Sequence, residues 1–398
     1  MNAALTFAHV AYLSRTVGVE GWGKIVFLQL LVNYFIWFTN WGFYLHTTKK
    51  ISNYRNDLNK ISRIFSVTIT AQFILTIIAL FFVALSTFIF AERNNQLITF
   101  MIVSGLILGN VIQPLWLLSG IEKVNESAAI QMLNKLLSLP LILILIHNSL
   151  DLNKYFLINI FISFFVGICY LFWITYKHKV KFELVSVTEA LDEIKQGSHL
   201  FSSLIFANLY TSLIPMVLGA FVSASSLGYY NLADRVRSLI LQLFHPVTHI
   251  LFPKICFLIK SDPIKAKELI IRSGFIVITI SIFATFIVYF FAGRIILTIS
   301  GSSFYNSINL LKILTFTIPV MTISEFLMYQ YLIPTGNYDV QYRSRLFVFV
   351  LSLFFVLPAI VYNGNVGAAW LSLAMETLLI IYILFGIRGN LFNFLRKK

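Results

Sequence analysis

The chain has 398 residues, of which 58% are hydrophobic and only 12% charged, with a formal net charge of +14 and a mean hydropathy of +0.84. A soluble domain carries roughly 25% charged residues, so most of this chain has lipid rather than water as its solvent. Long apolar segments recur along nearly its whole length, interrupted by short polar stretches such as 47–63 and 176–199, a pattern that excludes soluble fold classes and reads as a polytopic membrane protein.

About 20 apolar residues are needed to cross roughly 30 Å of hydrocarbon. On that length the spans fall, in chain order, at 24–46, 64–90, 97–119, 127–146, 154–175, 199–222, 230–253, 271–292, 306–333, 344–362 and 366–387. The opening stretch MNAALTFAHVAYL is short for a crossing and ends at Ser14-Arg15. It reads either as the second half of a twelfth helix or as a start placed too late. With no basic residues before it and no small-residue cleavage site after it, it does not read as a signal peptide.

Basic residues gather in alternate loops. Lys49, Lys50, Arg55, Lys60 and Arg63 come first, then Lys123, then Lys177, Lys179, Lys181 and Lys195. Lys254, Lys260, Lys265, Lys267 and Arg272 follow, then Arg343 and Arg345, and last Arg388, Arg396, Lys397 and Lys398. The intervening loops hold only Arg15, Lys24, Arg93, Lys154 and Arg294. Retention of positive charge on the inner side predicts that the first set, with the C-terminus, faces the cytoplasm. The parity of the spans then favours twelve helices. Cys169 and Cys256 fall within or at the end of spans and read as packing residues rather than a disulfide.

A shift of about 205 residues lays one half of the sequence on the other. Gly23 then pairs with Gly228, Trp22 with Leu227, Pro114 with Pro319, and the span at 64–90 with 270–292. This predicts an all-α membrane fold of two six-helix lobes: 1–175, a cytoplasmic linker at 176–198, and 199–398. Duplicated lobes are a common way for transporters to build a site.

Gln29, Asn33, Trp37, Asn40 and Tyr44 step by three and four along one predicted helix face. Their counterparts are Asp234, Ser238, Gln242, His245 and His249, with Arg235 and Arg237 beside them. Such stripes are expensive against lipid, so the two helices are expected to face each other across a wet cavity; the competing reading is interhelical hydrogen bonding in a closed bundle. Charges inside spans stand out further: Lys135 with Gln131 one turn earlier, Lys312 and Glu325 on either side of Pro319, and Glu376 in the last span. Lys312 can alternatively snorkel to the interface. Arg235, Arg237, Lys135 and Lys312 set four cations against the acids Asp234, Glu325 and Glu376, a surplus suited to an anion such as a diphosphate. Tyr34, Trp37, Trp41 and Tyr44 could stack on sugars, although Trp and Tyr also populate membrane interfaces without a ligand.

No GxxxxGK[ST], GxSxG or HExxH occurs, and of the seven histidines only His245 and His249 stand at i, i+4, with no third ligand. No cofactor or metal is therefore expected. Loops on the outer side hold about a dozen residues at most, too few for a catalytic domain.

The segments carrying the repeat also carry a resemblance. YLSRTVGVEGWGKIVFLQ, NWGFYLHTTKKISNYRNDLNKISRIF and the stretch from GSHLFSSL to LFPKI, with LGYYNLADRVRSLI inside it, are similar to the Wzx-type O-antigen flippases of the multidrug/oligosaccharidyl-lipid/polysaccharide exporter superfamily. The resemblance runs from about Ala11 to the last helix, strongest from Gly197 to Ile255. It implies a fold like that of the multidrug exporters of this superfamily (MATE), with twelve helices in two lobes. It implies flipping of an undecaprenyl-diphosphate-linked oligosaccharide across the bacterial inner membrane, through a cationic lumen and coupled to an ion gradient. The partners implied are that lipid-linked oligosaccharide, membrane lipid, an O-antigen polymerase and a chain-length regulator, with no nucleic acid. The family's acidic-basic pair falls on Asp234 and Arg235. The lumen residues expected to hold substrate are Arg235, Arg237, Lys135, Lys312, Asn33, Trp37, Asn40, Gln242, His245 and His249, and those expected to carry coupling are Glu376, Glu325 and Asp234. A multidrug exporter of the same fold would favour a site rich in acids, and a membrane-embedded polymerase or acyltransferase is the competing enzyme reading.

Overall fold

A computed structural model describes residues 2–90 and 96–396, and these residues form helices with no strand among them. In chain order they are α1 (Asn2–Asn40), α2 (Phe43–Asn53), α3 (Leu58–Phe90), α4 (Gln96–Val111), α5 (Leu115–Gly120), α6 (Val124–Leu145) and α7 (Leu152–Lys177). There follow α8 (Val187–Phe221), α9 (Ala224–Gln242), α10 (His245–Ser261), α11 (Pro263–Ser300), α12 (Ser307–Thr315), α13 (Thr317–Leu327) and α14 (Tyr338–Arg396). A π-turn at Met328–Leu332 closes α13.

Eight helical stretches among the described residues are long and apolar enough to cross a membrane, and a ninth, Ala224–Thr248 with Ile250–Ile259, is bent by 41°. Two of the eight, Leu5–Asn53 with 49 residues and Asp339–Arg388 with 50, are each about twice the length of one crossing. Each is broken inside by a glycine at positive φ, Gly18 at 69° and Gly364 at 54°, a conformation that a Cβ disfavours. With α8, the chain provides about twelve membrane helices.

The expected spans lie on these helices, with four interruptions that hydropathy does not register, one of them in the span at 97–119, which breaks at Ile112–Pro114 between α4 and α5. The span at 24–46 stops at Trp41 and Gly42, whose φ values of 41° and 74° end α1 and turn the chain into α2. The span at 230–253 breaks at Leu243–Phe244, between α9 and α10. The span at 306–333 breaks at Phe316. Both repeat-related prolines stand at such interruptions: Pro114 is the N-cap of α5, and Pro319 lies in the first turn of α13, where a missing N–H leaves no intrahelical partner without its bond.

The stretch 176–198 is only partly a linker. It has no regular secondary structure from His178 to Ser186, and α8 then starts twelve residues before the expected span. Ser186 Oγ accepts from the Glu189 N–H at 3.3 Å and donates to the Glu189 carboxylate at 3.1 Å, an N-cap that initiates the helix. Ala190 and Glu193 of this first part are buried.

Two compact units divide the chain: residues 1–18 with 27–205, and residues 19–26 with 206–398. In the first, Phe43 of α2 packs with Ala71 and Leu75 of α3 and Ala190 of α8. Lys50 of α2 meets the buried carboxylate of Glu193 at 2.6 Å. In the second, α11 shows how a lipid-solvated helix is patterned. Gly274, Val277, Ser281, Thr285, Val288, Ala292 and Ile296 form its buried face, while Phe275, Phe283, Phe286 and Phe290 are exposed. Small residues face protein because close packing, rather than the hydrophobic effect, holds helices together in lipid. Cys169 is likewise exposed, against the expectation that it packs; Cys256 is half-buried.

The 205-residue repeat holds at the level of single hydrogen bonds. The Lys60 N–H donates to Asp57 Oδ1 at 3.1 Å at the start of α3, and the Lys265 N–H donates to Asp262 Oδ1 at 3.1 Å at the start of α11. Leu58 and Pro263, which open those helices, are 205 apart. So are Gly18, where α1 breaks, and Ser223, which caps α9. The segment before Gly18 therefore corresponds to the last turns of α8.

Candidate functional site

Among the described residues, polar side chains gather at three cavities, one in the first unit and two in the second. In the first unit, Gln29 and Asn33 stand one turn apart on α1, Asn110 comes from α4, Asn134 from α6, and Tyr155, Asn159 and Ser163 step by four along α7. They line a cavity of about 310 Å³ whose lining holds no charged side chain. Gln29 Nε2 donates to the Tyr155 hydroxyl at 2.8 Å. Asn134 Nδ2 donates to Gln113 Oε1 at 2.9 Å, and Gln113 Nε2 to the Ser163 carbonyl at 2.8 Å. These bonds fix the amides from helix to helix, the use to which buried polar groups are put in membrane bundles.

The expected stripe on α1 is therefore split. Asn33 lines the cavity, Trp37 packs edge-on against Tyr34 with centroids 5.4 Å apart, and Asn40 Oδ1 accepts from Gln72 Nε2 at 3.2 Å. Tyr44 is on α2, beyond the break, with its hydroxyl 3.2 Å from Ser119 Oγ. Trp41 stacks on Phe201 at 4.0 Å and donates Nε1 to the Ile194 carbonyl, so its ring face is occupied. Lys135 Nζ donates to Thr6 Oγ1 at 2.9 Å and is not among the cavity's lining residues.

In the second unit, Asp234 is ion-paired with Arg237, one turn on, rather than with Arg235. Arg237 Nη1 also donates to Thr317 Oγ1 at 3.1 Å. Arg235 is exposed, about 200° around the helix from Arg237 at 100° per residue. The two arginines expected to act together are therefore separated by helix geometry. Tyr230, one turn before Asp234, is buried, and Ser372 stands one turn before Glu376 on α14.

Glu376, 6% exposed, lines a cavity of about 200 Å³ together with Glu325, Ser324, Gln341, Ser344 and Arg345. The expected coupling acids Glu325 and Glu376 thus share one chamber, and Asp234 belongs to the neighbouring ion pair. Arg345, which in the sequence reads as a loop cation, lines this chamber from the first turns of α14. His245 Nε2 is 3.6 Å from Glu325 Oε2, whereas Gln242 is exposed and the His249 side chain lies outside the described residues.

Lys312 lines a third cavity, of about 350 Å³, with Tyr305, Asn306, Asn309 and Asn365, and its Nζ sits 5.5 Å from the centre of the Tyr289 ring. Lys312 and Glu325, neighbours in the expected span, are divided by the break at Phe316 and serve different cavities. Among the described residues, Arg345 lines the chamber of Glu325 and Glu376, and Lys312 lines the cavity with Asn309 and Asn365. Among the described residues no group of three or more His, Cys, Asp or Glu could hold a metal ion.

With this geometry in place, the comparisons decide the family. The model of the family described as polysaccharide biosynthesis protein matches residues 1–257. The chain belongs to that family. A relative in Escherichia coli (strain K12), provisionally named O-antigen transporter, is 25% identical over 391 residues, covering 98% of this chain and 94% of its own. Another of the same provisional name, from Shigella dysenteriae, is 22% identical over 97% of this chain and 96% of its own. Among solved structures, an inward-facing transporter of the MATE family of the MOP superfamily matches with a TM-score of 0.75 at 14% identity, covering 99% of this chain and 95% of that one. The lipid II flippase MurJ in an inward closed conformation matches at 0.70 with 15% identity, covering 99% and 89%. The fold of this family member is thus that of the MATE and MurJ transporters.

Proposed function

We propose that the chain flips an undecaprenyl-diphosphate-linked O-antigen or related polysaccharide repeat unit across the bacterial inner membrane by alternating access, driven by an ion gradient. The observation that carries this reading is the charged network inside apolar helices of the second unit: the Asp234–Arg237 pair anchored on Thr317, and Glu376 and Glu325 with Arg345 around one chamber. Charges within apolar helices are expensive unless they pair, face water or serve a pathway or relay.

In this reading the diphosphate is held by Arg235, Arg237, Lys135 and Lys312 at successive stages, since guanidinium and ammonium groups supply charge-assisted bonds to phosphate oxygens. Asp234, Glu325 and Glu376 exchange the coupling proton. The basic loops lie in the cytoplasm, and an O-antigen polymerase and chain-length regulator receive the product on the far side.

Deletion of the gene tests the reading. Lipid-linked repeat units should accumulate on the cytoplasmic face while surface polysaccharide is lost, and a plasmid copy should restore both. Accumulation on the outer face would instead indicate a defect in polymerisation.

A further inference from the structure

The two units differ in the chemistry of their chambers. At repeat-equivalent positions the first unit has Gln29 where the second has Asp234, and Asn33 where the second has Ser238. The cavity of the first unit is lined by Gln29, Asn33, Asn110, Asn134, Asn159 and Tyr155 and by no ionisable group other than that phenol.

Four helices contribute these amides, and part of their capacity is already used. Gln29 Nε2 is engaged by Tyr155, Asn159 Nδ2 donates to the Tyr155 carbonyl at 2.7 Å, and Asn134 donates to Gln113. The amide oxygens of Gln29 and Asn159 retain accepting capacity. Asn33, exposed to the cavity, and Asn110 present both an acceptor and two donors each. An array offering donors and acceptors together, without net charge, matches hydroxyl groups, which both donate and accept. It does not match a phosphate or carboxylate, which only accepts and needs a cation nearby. At about 310 Å³ the cavity has room for about ten waters at roughly 30 Å³ each, a space that one sugar ring can occupy.

We infer that this amide-lined cavity is a subsite for a neutral sugar ring, a hexose or N-acetylhexosamine of the repeat unit, separate from the residues that meet the diphosphate. The inference rests on the flippase reading and deepens it: the amide cavity of the first unit reads the glycan through uncharged hydrogen bonds, while the diphosphate meets cations that lie outside that cavity.

The test uses the purified full-length protein in detergent and free glucose, N-acetylglucosamine and glucuronic acid as probes, with binding read by saturation-transfer NMR. At least one neutral sugar should show transfer that is insensitive to salt, as uncharged contacts require, and glucuronic acid should not. Asn33→Leu with Asn110→Leu should weaken the neutral sugar by at least about tenfold, since each lost hydrogen bond is worth a few-fold or more. If the double variant does not fold, Asn33→Leu alone, at an exposed position, should give a reduction of about threefold or more. No transfer from either neutral sugar, equal transfer from glucuronic acid, or unchanged binding in a folded variant would overturn the inference and identify a merely hydrated cavity. Those outcomes leave the flippase reading standing if gene deletion still strands lipid-linked units inside. Normal surface polysaccharide after deletion would sink that reading instead.

Discussion

Gly23 and Gly228 each occupy the place where the backbone of the other's helix comes closest. A Cβ at Gly23 would overlap the carbonyl oxygen of Ala224, and a Cβ at Gly228 would overlap that of Val19. Val19 and Ala224 are themselves separated by the repeat shift, so the crossing of α1 and α9 maps onto itself when the halves are exchanged. Small residues four apart let helices approach to backbone contact in a medium without a hydrophobic drive. Gly23→Ala and Gly228→Ala should each destabilise by about 1–3 kcal/mol through overpacking, Gly23→Ala the more, because its Cβ would lie nearer to the Ala224 carbonyl oxygen than a Cβ at Gly228 would to that of Val19. Thermal midpoints in detergent check this; two unchanged midpoints would remove the crossing from the list of close contacts.

The arginines of α9 should separate in experiment. Arg237→Ala strips Asp234 of its partner in a half-buried setting, so export of surface polysaccharide should fall by about tenfold or more while the protein remains inserted. Arg237→Lys keeps the charge but not the two-branched geometry and should recover part of the loss. Arg235→Ala, on the exposed face, should have a smaller effect. Equal losses for both arginines would contradict the separation made by the helix.

Protonation of the acids in the Glu325–Glu376 chamber is proposed to bias the inward-open to outward-open equilibrium. Glu376→Gln, which resembles the protonated side chain, should slow turnover while leaving lipid-linked substrate bound, and Glu325→Gln should act in the same direction. The measurement is transport in vesicles with and without a proton gradient. If both variants transport normally and still respond to collapse of the gradient, these acids do not couple.

The basic loops predict an orientation with the C-terminus in the cytoplasm. A reporter active only in the periplasm, fused after Lys398, should be silent, and one placed in the polar segment at 47–63 should be silent too. Strong activity at either site would reverse the assignment of sides.

The sequence revealed the span positions, since hydropathy over some 20 residues is a property of the segment alone. It also revealed the repeat, and the two prolines that mark interrupted spans. It did not reveal the breaks at Trp41–Gly42 and Leu243–Phe244, because apolar character continues through both and only backbone dihedrals change. The start of α8 was legible in principle: Ser186-Val-Thr-Glu189 opens on an N-cap serine, outweighed by the charged residues around it. The amide cavity was not legible. Asn110, Asn134 and Asn159 are each an ordinary polar residue in an apolar span, and only the packing of α1, α4, α6 and α7 brings them together. Arg345 was hidden for the opposite reason, since a cation near a span end reads as a loop signal until α14 is seen to begin at Tyr338.

The capped turns at Asp57 and Asp262 bear on how the chain is made. Around each turn the sequence repeats the same instruction: Lys49, Lys50, Arg55, Lys60 and Arg63 before and within the start of α3, and Lys254, Lys260, Lys265, Lys267 and Arg272 around the start of α11. If these clusters stay on the cytoplasmic side, a ribosome-bound chain presents the insertion machinery with two independent anchors of the same sense. The second half need not inherit its orientation from the first helices to emerge, and an error in threading the early segments can be corrected when the later anchor arrives. A gene cut in the stretch before Ser186 would yield two polypeptides that each still carry their own insertion signal.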